Sequence, residues 1–584
     1  MPTTRSRILI FWLALLGLAL GSGVRDVWTI DPDAAAYVSL GRSLAAGDGY
    51  QLAGVPHGKY PPGLPSLVAG LSLMRGPEAY AAFHLALVAL LLAAVACSAA
   101  LARRLGYGPL VALVLALCVG MSQTLFDLSL RYLRTEVPFL ALSLAAMLLA
   151  DRALRPGGRP RHALASALCM GLAMATRLAG VTLLVVPALH LARPRDPEGG
   201  RRRAALMLVL GLVFPLAWGL RGQQLRSDQP LAPDYSAELL AAAPRDLTKT
   251  VPEDLPRVDA AGLARRVAGN LTVFARASAV LLTNVDKAGE ILLAGAALAL
   301  TVLLGLLAML RAGAARRDAA VYVLATLALY LVWPFNQQER FYAPLLPWLL
   351  LAAGEGLDQL WSRARVFSLK PGGRAALVLA LLGATLTLAA RHSHNPTVLG
   401  RWSPSYTAAL AGLAGATLLS ALWLRRQALP ALPSRAALLL VPLLFAGPFL
   451  KQRLVAWPEQ VAAHTAYRAQ NPASGSLARI DVNPLLEQIA RHLATHAAPD
   501  AVLMTDVPKI MEVIAGRRCV PFHYRSQPPE VLTDDADYLF YTGEFPELAQ
   551  IMDVCASRFD VELELAPVFD GVRSVTPVLY AVRR

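Results

Sequence analysis

The feature that most constrains this sequence is a series of thirteen apolar spans, separated by short connections that carry most of the charges. A stretch of about 20 apolar residues is long enough to cross a bilayer as a helix. Of 584 residues, 56% are hydrophobic and 16% are charged, which is typical of a polytopic membrane protein. We therefore predict an α-helical membrane protein with about 13 transmembrane helices. The spans lie near residues 7–24, 78–101, 107–126, 136–151, 162–176, 178–192, 204–221, 288–310, 319–335, 341–361, 375–390, 405–424 and 436–450.

The arginine-rich connections all fall on the side of the N-terminus, which the positive-inside rule makes cytoplasmic. They lie at 103–104, 152–161, 193–203, 311–317, 363–374 and 425–435. An odd number of spans then places the C-terminal part outside the cytoplasm. We predict a membrane domain at 1–450, with outer loops at 25–77 and 222–287, in a bacterial inner membrane. The net charge of +15 is explained by this orientation, and no basic surface with interleaved aromatic residues predicts nucleic-acid binding.

The polar C-terminal part, residues 451–584, has the pattern of a small extracytoplasmic α/β domain. It contains no glycine-rich phosphate loop and no nucleophile elbow, so it carries no enzyme motif of its own. Predicted helices cover 485–496 and 508–514, and predicted strands cover 501–505, 519–522, 538–541, 561–565 and 578–582.

The first outer loop carries two carboxylates, Asp31 and Asp33, close to the membrane surface. An amphipathic helix is predicted from about Ala34 to Ala46, and Asp33 stands where a side chain can cap its first free N–H groups. The same position also suits catalysis, because the low dielectric at a membrane edge shifts the pKa of a carboxylate. Spacing alone leaves both interpretations open.

Further polar residues lie in or beside the spans at the same outer depth. Polar groups cost free energy to place in a membrane, so these residues are candidates for a functional role. If they converge, they form a cationic pocket for a lipid phosphate, since arginine binds phosphate oxygens through a bidentate fork. Snorkelling is the alternative for Arg131 and Arg134, and Glu136 has both Arg134 and Arg177 as possible partners. His392 and His394 lack a third ligand, so no metal site is predicted. The candidates are Asp31, Asp33, Lys59, Arg131, Arg134, Glu136, Arg177, Asn336, Gln337, Gln338, Glu339 and Arg340.

Several motifs in the first 350 residues resemble those of membrane glycosyltransferases with the GT-C fold. An acid stands four residues before Tyr37, and the following helix ends in GDGY. KYPPGLP, RYLRTEVPF, ATRLAG and ERFYAPLLP then follow at the outer ends of later spans. The likeness is greatest to the group that contains protein O-mannosyltransferases and the aminoarabinose transferases that modify lipid A.

This resemblance implies transfer of a sugar from a polyprenyl-phosphate carrier to a hydroxyl of a glycan, lipid or protein, with inversion at the anomeric carbon. It assigns the general base to Asp33; the family often has a second acid next to the first, where Ala34 stands here, and Asp31 is the candidate replacement. Lys59 and Arg340 would hold the carrier phosphate, with Tyr60, Arg131, Arg134, Glu136 and Arg177 as further binding residues. The partners would be membrane lipid and the lipid-linked donor, with no other cofactor. The loop 222–287 is long enough to act as a lid.

Two other classes of protein remain open from the sequence. A transporter or flippase of lipid-linked sugars would carry charges at mid-membrane and repeated halves, and neither pattern is found. A non-catalytic envelope assembly protein would bind through its C-terminal domain.

Overall fold

A computed structural model describes the following parts of the chain, and all structural statements refer to them. They are residues 4–52, 54–192, 199–228, 258–284, 292–334 and 338–364, and in the C-terminal part 462, 465, 480–481, 484–498, 500–505, 508–521, 537–540, 559–564 and 578–582. The chain is mostly helical up to residue 364, and a small sheet lies in the C-terminal part.

The helices of the first 364 residues follow the apolar spans closely. Two short 3-10 helices, Leu178–Leu184 and Ala343–Leu345, interrupt the series. The α-helices are α1 (Thr4–Gly21), α2 (Pro32–Ala46), α3 (Gly63–Arg75), α4 (Tyr80–Arg104), α5 (Pro109–Gly120), α6 (Gln123–Leu130), α7 (Glu136–Leu154), α8 (Pro160–Thr176), α9 (Val185–Ala192), α10 (Gly200–Asp228), α11 (Ala260–Thr283), α12 (Leu292–Arg311), α13 (Ala314–Val332), α14 (Gln338–Tyr342) and α15 (Leu346–Ala364).

Four helices of the described part are long and apolar enough to cross a membrane, as judged by length and composition: α4, α7, α10 and α12. The bent pair α5 and α6 makes a fifth if it is counted as one span. Shorter apolar helices cover Ile10–Gly21 and Leu178–Ala192. The chain is therefore a multi-pass membrane protein, and the count of thirteen spans stays a prediction. The predicted spans at 375–390, 405–424 and 436–450 lie outside the described residues.

The predicted single span at 107–126 is wrong in one respect, because the chain breaks there into α5 and α6, which are bent by 48°. Ser122 caps α6, since its hydroxyl accepts a hydrogen bond from the N–H of Leu125. The Asn284 side chain, which follows α11, accepts from the N–H of Gln123 at 2.7 Å and donates to the carbonyl of Met121 at 3.0 Å. These contacts satisfy the backbone groups that the break leaves without helical partners.

The first outer loop contains a helix, a short strand and a small hairpin. Strand β1 (Trp28–Thr29) precedes α2, and the hairpin β2 (Gln51–Leu52) and β3 (Val55–Pro56) follows it. Gly47 ends α2 with φ of 86°, a left-handed conformation that glycine adopts without strain. Helix α2 then packs on α3, and the approach is so close that a Cβ on Gly41 would lie 2.6 Å from a methyl carbon of Val68.

The C-terminal part contains a five-stranded mixed sheet with two helices, α16 (Pro484–His496) and α17 (Pro508–Ala515). Its strands are β5 (Val502–Thr505), β6 (Arg518–Pro521), β7 (Tyr538–Phe540), β8 (Phe559–Glu564) and β9 (Val578–Val582). Their order is β6-β5-β7-β9-β8, with β5 parallel to β6 and β7, and β9 antiparallel to its neighbours. The predicted helices and strands are confirmed, and most of their ends lie within one or two residues of the predicted ends.

The C-terminal part contacts the first outer loop directly. Strand β4 (Ile480–Asp481) pairs in parallel with β1, so that Thr29 lies opposite Asp481. Helix α17 packs against α2, and one hydrophobic cluster contains both Val38 of α2 and Met511 of α17. The segment that carries Asp31 and Asp33 is thus enclosed by the membrane helices on one side and the C-terminal part on the other.

Candidate active site

The two acids of the first loop have different roles in the local structure. Asp31 is the N-cap of α2, because its carboxylate accepts hydrogen bonds from the N–H groups of Asp33 at 3.0 Å and Ala34 at 3.2 Å. Pro32 stands directly after the cap, where its fixed φ favours the start of a helix. The prediction that Asp33 is the cap is therefore wrong. Asp33 lies in the first turn with its side chain available for other contacts.

The Asp33 carboxylate accepts from two side chains that come from distant parts of the sequence. The hydroxyl of Tyr60 donates to Oδ1 at 2.9 Å, and Nη2 of Arg340 donates to Oδ2 at 2.5 Å. Tyr37, one turn further along α2, packs edge-on against the Tyr60 ring with centroids 5.2 Å apart. Burial raises the pKa of Tyr37, and the nearby carboxylates of Asp33 and Glu136 add to the increase, so Tyr37 stays a neutral phenol.

Arg340 connects Asp33 to a second, fully buried carboxylate. Its Nε donates to Oε1 of Glu136 at 2.5 Å, and Nη1 of Arg177 donates to the same oxygen at 2.7 Å. Arg177 also donates to the Thr135 hydroxyl at 3.1 Å. Of the two alternatives for Glu136, the structure has the contact with Arg177. The other oxygen of Glu136, Oε2, is buried and has no hydrogen-bond partner among the described residues.

Arg134 pairs with Asp31 instead, with its Nε 3.0 Å from Oδ2. This contact extends the cluster to the helix cap. Arg131 faces away from the cluster toward Asp127, at 3.9 Å, and its guanidinium lies over the ring of Tyr132. Its backbone contacts the first loop, because the carbonyl of Arg131 accepts from the N–H of Thr29.

Lys59 and Tyr60 are both buried at the entrance to α3. The ammonium of Lys59 lies 5.8 Å from the centre of the Tyr60 ring. The predicted candidates Gln338 and Glu339 begin α14, directly before Arg340, whereas Asn336 and Gln337 lie outside the described residues. Of the loop 222–287 that was predicted to act as a lid, residues 229–257 and 285–287 also lie outside them, and α11 covers Ala260–Thr283.

Sequence reasoning missed residues that support this cluster, namely Thr135, His57 and Arg221. Thr135 and His57 carry no pattern that would mark them. Arg221 does, because an arginine at the outer end of an apolar span is a recognisable feature, although it usually indicates snorkelling alone. No group of three or more His, Cys, Asp or Glu side chains that could hold a metal lies among the described residues, and His392 and His394 are not among these.

No protein-family model and no curated protein matches this sequence. Solved structures do match over nearly the whole chain. ArnT from Cupriavidus metallidurans bound to undecaprenyl phosphate superposes with a TM-score of 0.55 and 16% identity, over 99% of this chain and 98% of that one. ArnT from the same organism in the apo state gives a TM-score of 0.53 and 15% identity, with the same coverage of both chains. The chain therefore has the GT-C fold that its motifs predict.

Proposed function

We propose that this chain is an integral-membrane glycosyltransferase that moves a sugar from a polyprenyl-phosphate carrier to an acceptor hydroxyl on the extracytoplasmic face. One observation carries the proposal. Asp33, Glu136, Arg177 and Arg340 come from four separate segments, yet they meet in one hydrogen-bonded cluster. The similarity in fold to an ArnT structure with bound undecaprenyl phosphate supports a lipid phosphate as the ligand.

In this reaction the acceptor oxygen attacks the anomeric carbon from the side opposite the phosphate, and the configuration inverts. The bond between the anomeric carbon and the phosphate oxygen breaks, and the carrier phosphate leaves with that electron pair. The acceptor proton passes to Asp33, which acts as general base. A glycan, a lipid or a protein hydroxyl fits this chemistry equally.

The arginines of the cluster suit a leaving phosphate, because its negative charge increases as the bond to the sugar breaks. Three acids, Asp31, Asp33 and Glu136, stand against three arginines, Arg134, Arg177 and Arg340. Lys59 lies beside the Tyr60 ring, whose hydroxyl donates to Asp33. A sugar attached to a carrier monophosphate is a phosphodiester with a single negative charge, and the carrier phosphate gains a second as the bond to the sugar breaks.

Arg340 and Lys59 are the residues that we assign to the phosphate. Arg340 uses Nε and Nη2 for its two carboxylates, and Nη1 has no hydrogen-bond partner among the described residues. Donors already aimed at a developing charge stabilise a transition state strongly, because they need no reorganisation during the reaction. Arg177 supports Arg340 indirectly, because both arginines pair with Glu136. Asp31 supports the base through the helix cap and through Arg134.

The test compares wild type with Asp33→Asn in membranes at matched expression, using radiolabelled polyprenyl-phosphate sugars and a panel of acceptors. We expect transfer to fall by a factor on the order of 10² to 10⁴, the range for removal of a general base, while binding of the carrier phosphate is retained. Asp127→Asn is the matched control, since Asp127 lies beside Arg131 outside the cluster. Unchanged transfer in Asp33→Asn contradicts the assignment of the base. Absence of transfer in wild type, across donors and acceptors, favours a transporter or an assembly protein.

A further inference from the structure

Three aromatic residues between α2 and α3 are joined by hydrogen bonds: Tyr50, His57 and Tyr60. We call this unit the strap. The N–H of His57 donates to the carbonyl of Tyr50 at 3.0 Å, and the hydroxyl of Tyr50 donates to the carbonyl of Tyr60 at 2.7 Å. The N–H of Tyr60 donates to Nε2 of His57 at 3.0 Å, which requires the proton of the neutral imidazole to be on Nδ1. The rings of His57 and Tyr60 are stacked, with centroids 5.3 Å apart.

The strap is attached to the outer end of α10 by one arginine. Nε of Arg221 donates to the carbonyl of His57 at 3.3 Å, and Nη2 donates to the carbonyl of Tyr50 at 3.4 Å. The same guanidinium lies 5.8 Å from the centre of the Tyr50 ring and 6.0 Å from that of Trp218. A snorkelling arginine directs its charge into water, whereas this one is bonded to two carbonyls and faces two aromatic rings.

The strap ends at the proposed base, because the Tyr60 hydroxyl donates to Oδ1 of Asp33 at 2.9 Å. His57 and Tyr60 are each only 4% exposed, so water does not readily replace these hydrogen bonds. Burial raises the pKa of Tyr50, with Tyr37 adding to the increase and Arg221 opposing it. Tyr50 therefore remains a phenol that donates to the Tyr60 carbonyl.

We propose that Arg221 is a positioning residue for the base, which acts by fixing the strap so that Tyr60 orients the Asp33 carboxylate. This inference rests on the proposed function. Tyr60 holds one oxygen of Asp33 and Arg340 holds the other, so the plane of the carboxylate is set from two sides. Arg221 touches neither Asp33 nor the reacting atoms; its effect passes through Tyr50, His57 and Tyr60.

The closing experiment measures kcat and the KM for the donor in Arg221→Gln, Tyr60→Phe and the double variant. Small misplacements of a catalytic group cost up to about 10²-fold in rate, so we expect each single variant to lose about 10-fold in kcat with little change in KM. If Arg221 acts through Tyr60, the double variant is no slower than Tyr60→Phe within about twofold, since residues that act as one unit are non-additive. Arg75→Gln, at the exposed end of α3, is the matched control.

Two kinetic results overturn the inference. A double variant whose loss is the product of the two single losses makes Arg221 and Tyr60 independent. A rise in KM with unchanged kcat in Arg221→Gln means that Arg221 binds the donor instead. Arg221→Lys is a second variant for the case in which Arg221→Gln does not fold. Lysine keeps the positive charge but lacks the fork that reaches two carbonyls, so we expect a kcat between those of wild type and Arg221→Gln.

A second measurement tests whether Arg221 fixes the strap, and it does not depend on enzyme activity. Hydrogen exchange of the amides of His57 and Tyr60 is compared in purified wild type, Arg221→Gln and Arg75→Gln. We expect faster exchange of both amides in Arg221→Gln alone, because both are hydrogen-bonded within the strap. Unchanged exchange overturns the inference. A wild type without transfer contradicts the proposed function, and the exchange result still shows whether Arg221 fixes the strap.

Discussion

Asp31 and Asp33 are two residues apart, and their surroundings give them different chemistry. The carboxylate of Asp31 faces backbone N–H groups and Arg134, whereas that of Asp33 faces Tyr60 and Arg340. A helix cap contributes to stability through the helix terminus. A base contributes to rate through the acceptor proton. Substitutions at the two positions should therefore separate stability from transfer.

We predict that Asp31→Ala lowers the free energy of unfolding by about 1 kcal/mol, the usual cost of a lost N-cap. Asp31→Asn should lower it less, because asparagine also caps helices well and only the pair with Arg134 is weakened. Thermal unfolding in detergent measures both effects. Transfer should persist in both variants at a level well above that of Asp33→Asn. If Asp31→Asn abolishes transfer as fully as Asp33→Asn, Asp31 takes part in the proton transfer and the division of roles is wrong.

Sequence reasoning identified the charged residues of the cluster and offered Arg177 as one of two partners for Glu136, but it did not predict the pairing of Asp33 with Arg340. Depth in the membrane was enough to predict Glu136, Arg177 and Arg340, because charges there are expensive. The pairing of Asp33 with Arg340 joins residues 307 positions apart, and only the tertiary fold determines such a contact. The cap differs from the prediction for a local reason. Proline is favoured at the first position of a helix, so α2 begins at Pro32, two residues before the predicted start, and Asp31 becomes the cap.

At the scale of elements, α12 and α15 approach each other unusually closely through two glycines. A Cβ on Gly305 would lie 1.7 Å from the carbonyl oxygen of Ala352, and one on Gly356 would lie 1.9 Å from that of Thr301. Both obstructing atoms belong to backbone, which cannot rotate away as a side chain does. Small residues at helix crossings allow this kind of backbone contact in membrane proteins.

We predict that Gly305→Ala markedly destabilises the protein, because the two helices must separate to accept a methyl group. The measurement is the apparent Tm in detergent, together with the yield of folded protein. Gly354→Ala on α15 is the matched control, since a Cβ there meets no atom within 4 Å. Equal behaviour of the two variants would contradict the close crossing of α12 and α15.

Elements with a clear pattern were predicted well, and breaks in helices were not. A short continuous apolar run marked the buried strand Val502–Thr505, and a long apolar run marked α4. The break between α5 and α6 depends on Ser122 and on the amide of Asn284, which is more than 160 positions away. A sequence pattern contains no sign of such a distant partner.

For the whole molecule, the pairing of β1 with β4 has a topological consequence. Asp31 follows β1 by two residues, and β4 leads into the C-terminal sheet. The acid-bearing turn and the C-terminal part must therefore lie on the same side of the membrane. The arginine-rich connection between α7 and α8 lies at the opposite end of α7 from Glu136, and the positive-inside rule predicts that this end is cytoplasmic.

We predict that the acid-bearing turn faces the outside of the cell, where a carrier that has crossed the membrane presents its sugar. In a background with the five native cysteines replaced, a membrane-impermeant thiol reagent should label Asp48→Cys in intact cells. Arg159→Cys should be labelled only after permeabilisation, and both positions are exposed in the fold. The reverse pattern would put Asp33 and Arg340 at the cytoplasmic face, and the proposed extracytoplasmic transfer would lose its basis even if Asp33→Asn were inactive.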